Sequence, residues 1–137
     1  MSKDKTLTFA FMEPPFESAR GTTVFRIVSE AVRSGFDVNV FAYEGAVMMS
    51  FARQQQHANA VHGRDIVEEN HPLPKDWVAA LLAEAAAKNI KLDWANCGLC
   101  VDERGAGEAI PGVRRGTPAD LWKMAAESAN TLVVGTH

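Results

Sequence analysis

Two cysteines and a single tyrosine are all that this 137-residue chain carries of those residue types. Thiols this sparse exclude a disulfide-stapled scaffold, and a bridge across Cys97 and Cys100 would close too short a loop to constrain the unfolded chain much. Nowhere do ~18 apolar residues run consecutively, so a membrane span is not expected. The N-terminus passes from Met1-Ser2-Lys3-Asp4-Lys5 straight into a short β-prone run without a signal-peptide core, and a soluble, cytoplasmic protein is expected. Basic residues are not in excess: the formal charge is −3, which argues against a broad phosphate-binding surface and against nucleic acid as a direct partner. The loop after the first strand has no GxGxxG and the chain no GxxxxGK[ST], setting nucleotide chemistry aside. His57, His62, His71 and His137 have no ligand-type spacing relative to the cysteines and there is no second CxxC, so no metal site is expected. Ser18, Ser29, Ser34, Ser50 and Ser128 lack a nucleophile-elbow context, and no histidine stands beside one.

What is present is ordinary globular material, with 47% apolar and 23% charged residues. A chain of this length buries roughly two-thirds of its unfolded surface, and one domain over residues 1–137 is expected. Leu7 to Met12 reads as a strand that Pro14 and Pro15 break. Val24, Ile27, Val28, Ala31 and Val32 at helical spacing predict a helix over 22–33, capped by Thr22 or Thr23 and stopped by Gly35. Phe36 to Ala42 reads as a second strand, making a right-handed βαβ unit. After it, a short helix is expected to turn Val47, Met48 and Phe51 inward, either into the core or as a subunit surface. Residues 53–75 read as a long loop or a partly helical excursion. Trp77, Val78, Leu81, Leu82 and Ala85 then form the stripe of a clear helix ending near Asn89. Ile90 to Asn96 alternates as a third strand, 105–116 reads as loop, Thr117-Pro118 caps a last helix carrying Leu121, Met124, Ala125 and Ser128 inward, and 131–135 closes the sheet. The succession predicts an α/β fold with a largely parallel sheet and helices on both faces.

Both cysteines lie in Cys97-Gly98-Leu99-Cys100, delivered by the end of the third strand. In open α/β sheets, reactive groups gather outside the carboxyl ends of strands. The bland alternative for Cys97 is a small buried apolar residue. A free thiol with pKa ~8.5 needs N–H donors or cations to react at neutral pH, and Arg104, Arg114 and Arg115 are the candidate cations. Asp102 and Glu103 would oppose them if they faced the thiol. A thioredoxin-type dithiol fits less well, because that motif opens a long helix after an early strand, whereas here Asp102-Glu103-Arg104-Gly105 follows almost at once.

Three segments resemble the DsrE/TusD (DsrE/DsrF-like) family of sulfur-relay proteins over nearly the whole chain. Phe41-Ala42-Tyr43-Glu44-Gly45-Ala46-Val47 resembles its FY-x-EGV element. Asn96-Cys97 followed by Arg104-Gly105 resembles its persulfide-cysteine segment, and Arg114-Arg115-Gly116-Thr117-Pro118 its closing helix start. The resemblance implies a three-layer α/β/α sandwich with a mainly parallel five-stranded sheet, assembled into homo- or hetero-oligomers. It implies that Cys97 carries a sulfane sulfur without a cofactor, with Gly45, Arg104 and Gly105 as further binding residues, and that the partners are TusA-like carriers or rhodanese-like donors. The chain departs from the pattern in having Cys100 as well, a possible resolving or assisting thiol. The leading expectation is therefore a sulfurtransferase or sulfur carrier acting through Cys97. The alternatives are a non-catalytic interaction subunit of a relay complex and a cytosolic CxxC redox switch.

Overall fold

Alternation along a strand sends successive side chains to opposite faces, and the computed structural model shows what each face meets. It describes residues 3–58, 63–67 and 72–136; His62, His71 and His137 lie outside them. The elements in order are β1 (Thr6–Phe11), α1 (Arg20–Arg33), β2 (Asp37–Ala42), a 3-10 segment (Glu44–Ser50), α2 (Pro74–Ala87), β3 (Leu92–Cys97), α3 (Gly98–Glu103), β4 (Val113–Gly116), α4 (Pro118–Ala126) and β5 (Asn130–Val134). The strands form one five-stranded sheet in the order β4-β3-β2-β1-β5, with every pairing parallel. This is the expected three-layer α/β architecture. Among the described residues, no helix is long and apolar enough to cross a membrane.

The two faces of the sheet differ in content. Phe9, Phe11, Val38, Val40 and Trp94 point toward α1 and α2 and pack with Val24, Phe25, Val28, Val78 and Leu81. Edge-on contacts of Phe11 with Phe25 and with Trp94, at 6.3 and 6.1 Å between ring centroids, add directional packing to this larger core. The opposite face buries Ala10, Phe41 and Ala95 against Val47, Val101 and Met124, and both cysteines belong to this smaller cluster. The thiols thus sit in apolar surroundings at the carboxyl end of the sheet, away from the aromatic core.

Helix ends are set by local chemistry. Gly35 (φ 87°) and Asn89 (φ 57°) each take the left-handed conformation. There they close paired 6→1 and 5→2 bonds: Phe36 and Gly35 to Ala31 and Val32, and Ile90 and Asn89 to Ala85 and Ala86. Thr117 and Asp120 form a reciprocal capping box at α4.

The structure corrects several expectations. α1 starts at Arg20, with Ala19 in the cap position and no side-chain cap. Thr23 instead donates its hydroxyl back to the Ala19 carbonyl (3.0 Å), so its side chain serves the first turn from within. Ile27 is 37% exposed while Phe25 is buried, because the seam against β1 and β2 runs through 24, 25, 28 and 32. In the 3-10 segment Val47 is buried as expected, but Met49 rather than Met48 or Phe51 is fully covered, a consequence of the tighter three-residue turn. The stretch 105–116 contains β4, whose Val-Arg-Arg-Gly sequence carries no alternating apolar signal. Arg114 fixes it to β3 through a bidentate bond to Asp93 (2.8 and 3.0 Å).

Candidate active site around Cys97

Cys97 is the last residue of β3 and the cap residue of α3, so the strand hands its thiol directly to the sheet's carboxyl edge. Cys100 is the third residue of that helix. Cap and third positions lie on the same side of a first turn, and both side chains enter the cluster that contains Phe41, Val47, Val101 and Met124. Both are free thiols and nearly covered, at 6% and 8% exposure. α3 has six residues, not the long helix of a thioredoxin-type motif.

Of the three candidate cations, Arg115 is the one that bonds the turn beside the thiol. Its guanidinium donates to the Gly98 carbonyl (3.1 Å) and makes two bonds to Asp102 (3.0 and 3.2 Å). The bonds and charge of Asp102 hold Arg115 above its usual pKa, with a smaller contribution from Cys97, and those of Arg115 hold Asp102 below the usual carboxylate range. Asp102 therefore opposes a thiolate less than its sequence position suggests, because it is spoken for by the same arginine. Arg114 is engaged by Asp93 and Asp120, and Arg104 by Glu44 and Glu103.

Cys100 has a partner that the sequence did not disclose. The Glu44 backbone N–H donates to Cys100 Sγ at 3.1 Å across 56 residues. Burial raises the Cys100 pKa above that of an ordinary thiol; the Glu44 N–H counters this in part, and hydrogen bonding with Cys97 adds to the rise. Glu44 adopts φ 50°, a left-handed conformation uncommon for a non-glycine residue. Two of the remaining expected site residues, Arg104 and Gly45, brace that conformation. Arg104 pairs with the Glu44 carboxylate at 2.6 Å. Gly45 lies so close to Pro14 that a Cβ would come within 2.8 Å of the proline Cβ. Gly105, at φ 59°, terminates α3 with Ala106 and Gly105 bonded to Val101 and Asp102. Glu44 at the β2 exit and Arg104 after α3 are thus joined by one ion pair. Composition around 44 signals a turn, but not which thiol its amide would reach.

Two cavities flank this region. One of about 370 Å³ lies between α3 and β4, lined in part by Asn96, Asp102, Arg114 and Arg115. Asn96 donates to Ser50 Oγ (2.8 Å), and its carbonyl oxygen is buried without a hydrogen-bond partner among the described residues. The other, about 530 Å³, is lined by Phe16, Phe25, Met49 and Trp77 on the α1/α2 side and contains neither cysteine. His57 stacks edge-on against Phe16 at 4.5 Å, and among the described residues no group of three or more His, Cys, Asp or Glu side chains could hold a metal ion.

Comparison with known proteins agrees with this architecture. The chain resembles the crystal structure of the ychN protein from E. coli, with a TM-score of 0.67 and 21% identity, covering 95% of this chain and 98% of that one. A conserved protein of unknown function, BT1422 from Bacteroides thetaiotaomicron, superposes with a TM-score of 0.57 and 11% identity over 99% of this chain and 98% of that one. At these identities the likeness speaks for the fold. A search of curated proteins finds no match. The family model described as DsrE/DsrF-like matches residues 5–134, from the start of β1 to the end of β5, and the chain belongs to the DsrE/DsrF-like family.

Proposed function

We propose that this chain works in sulfur relay as a carrier or sulfurtransferase, with Cys97 as the residue that accepts and passes on sulfane sulfur. The observation that carries this reading is the placement of Cys97 at the carboxyl end of β3, one turn of α3 from the Cys100 thiol in the same apolar cluster, with Arg115 bonded to the neighbouring Gly98 carbonyl. The Cys97 thiolate attacks the outer sulfur of a donor persulfide, R–S–SH. The donor S–S bond breaks, R–S⁻ leaves, and Cys97 keeps the sulfur as Cys–S–SH. A thiolate on the acceptor then attacks that outer sulfur and returns Cys97 to its thiolate, with no net change of oxidation state and no cofactor. The apolar walls keep competing thiols out. A TusA-like carrier or a rhodanese-like donor fits as partner, and Leu99, 69% exposed between the two cysteines, offers such a protein an apolar contact beside the thiol.

Incubation with a persulfide donor followed by intact-mass and peptide mass spectrometry tests this. One added sulfur atom on the Cys97 peptide, absent in Cys97→Ser, is the expected result; loading that persists in the variant refutes it. The closeness of the two thiols favours one second reading, a reversible Cys97–Cys100 dithiol switch. Thiol trapping in a graded glutathione buffer separates the two, because a switch shows a defined potential without any sulfur donor.

A further inference from the structure

The cavity between α3 and β4 is lined by neither cysteine, yet it holds a polar atom that the protein leaves unsatisfied. Asn96 is 3% exposed; its amide N–H donates to Ser50 Oγ at 2.8 Å, and its Oδ1 has no hydrogen-bond partner among the described residues. A buried carbonyl oxygen of this kind is costly until a donor reaches it. The space beside it is about 370 Å³, within the range of small-molecule sites and far more than the ~30 Å³ share of one water. Its walls are fixed in advance. The Phe51–Ala109 bridge, the Ala52 N–H to the Glu108 carbonyl (2.8 Å) and the Ile110 N–H to the Ser50 carbonyl (2.9 Å) pin the 106–109 segment to the chain that leaves the 3-10 segment.

The lining selects the ligand. Asn96 and Arg115 are register partners across β3 and β4, so both side chains leave the same face of the sheet. Arg114 and Arg115 are balanced by Asp102 and Glu108, which gives the lining no net formal charge; this disfavours a phosphate and suits a molecule that carries both signs. The Arg115–Asp102 pair is more than half exposed on each side, at 58% and 65%, so it is weak enough for the guanidinium to turn to a ligand carboxylate. Asp102 is already bonded to Arg115, which leaves Glu108 as the rim acid available to an ammonium group. Val101, Ala106, Ala109 and Val113 supply apolar wall between these polar groups. We propose that this cavity binds a free α-amino acid with an apolar side chain: its ammonium donates to Asn96 Oδ1, its carboxylate accepts from Arg115, and its side chain rests against the apolar wall. None of these contacts involves Cys97, so the site stands whether or not that residue carries sulfur.

Heteronuclear NMR of the isotope-labelled wild type, titrated separately with L-alanine, L-leucine and L-methionine, tests this. Saturable shifts are expected at the Asn96 side-chain amide, the Arg115 Nε–H and the Gly107 and Glu108 backbone amides. Isocaproate, which is leucine without its ammonium, and isoamylamine, which is leucine without its carboxylate, are each expected to bind about tenfold or more weakly than leucine, because each loses one charge-assisted contact. Arg115→Gln is expected to weaken leucine by a similar factor. Absence of saturable shifts at these positions with all three amino acids overturns the proposal and assigns the Asn96 oxygen to ordered water. Isocaproate, isoamylamine or inorganic phosphate binding there as tightly as leucine overturns it too, as does undiminished leucine binding by Arg115→Gln. The titrations of the wild type decide the matter even if that variant fails to fold.

Discussion

Replacing Gly45 by alanine tests whether the two strand exits are braced against each other. β1 and β2 are paired to their ends, Phe11 opposite Ala42, and the Tyr43 N–H donates to the Phe11 carbonyl at 3.1 Å, so the chain leaves both strands side by side. A Cβ on Gly45 would lie 2.8 Å from Pro14 Cβ and 3.2 Å from its Cγ and Cδ. Carbon atoms pack best at roughly 3.5–4.0 Å, so the two loops must part by roughly 0.7 Å or more. Pro14 is a ring followed by a second proline and has no alternative rotamer to retreat into, which leaves backbone movement as the way out. Overpacking of this kind costs about 1–3 kcal/mol, and for a chain of this size each kcal/mol lowers Tm by roughly 3–6 °C. Thermal unfolding followed by circular dichroism should therefore show a fall of roughly 3–18 °C. Glu44 moves with Gly45, so its amide withdraws from Cys100 and the Cys100 alkylation rate changes in the same variant. Gly105→Ala is the control: open space surrounds its Cβ, φ is 59°, and a loss of about 1 kcal/mol is expected from backbone conformation alone. A Gly45→Ala protein as stable as the wild type, with unchanged thiol reactivity, refutes the brace.

The remaining predictions concern the core, the cap and the acid limit. Trp94 is fully buried and its indole N–H has no partner among the described residues. Trp94→Ala should cost about 3–5 kcal/mol in urea unfolding, whereas Trp94→Phe should cost well under half of that, because it removes the orphan donor as well as some volume. Thr117→Ala should cost about 1 kcal/mol through the lost cap. Asp120 sits below the ordinary carboxylate pKa, chiefly through the Thr117 N–H and then the Arg114 charge. A depressed folded-state pKa contributes stability that is present above the unfolded value, about 3.9, and is lost as pH falls through the folded value. Asp120→Asn should therefore flatten the stability profile below about pH 4, measured by acid titration of the unfolding midpoint; an unchanged acid limb contradicts that assignment.

Much of the fold was legible along the chain because its signals are local. The alternation through Trp94 placed Cys97 at a strand end, and the stripe through Val78, Leu81 and Ala85 defined α2. Gly35 and Asn89 marked helix ends through the left-handed conformation that those positions adopt. β4 was not legible, since Val113–Gly116 is short, charged and half solvent-facing, and becomes a strand through pairing with β3 and the Arg114–Asp93 bond. The site divides along the same line. Sequence alone determined that a thiol leaves β3 at the sheet's carboxyl edge, because strand period and turn chemistry act over a few residues. Only tertiary structure decided that Arg115, not Arg104 or Arg114, bonds the Gly98 carbonyl beside that thiol, and that the Glu44 amide reaches Cys100 across 56 residues. Those contacts depend on β2 lying beside β3 and β4 beside β3, a strand order that no local pattern encodes.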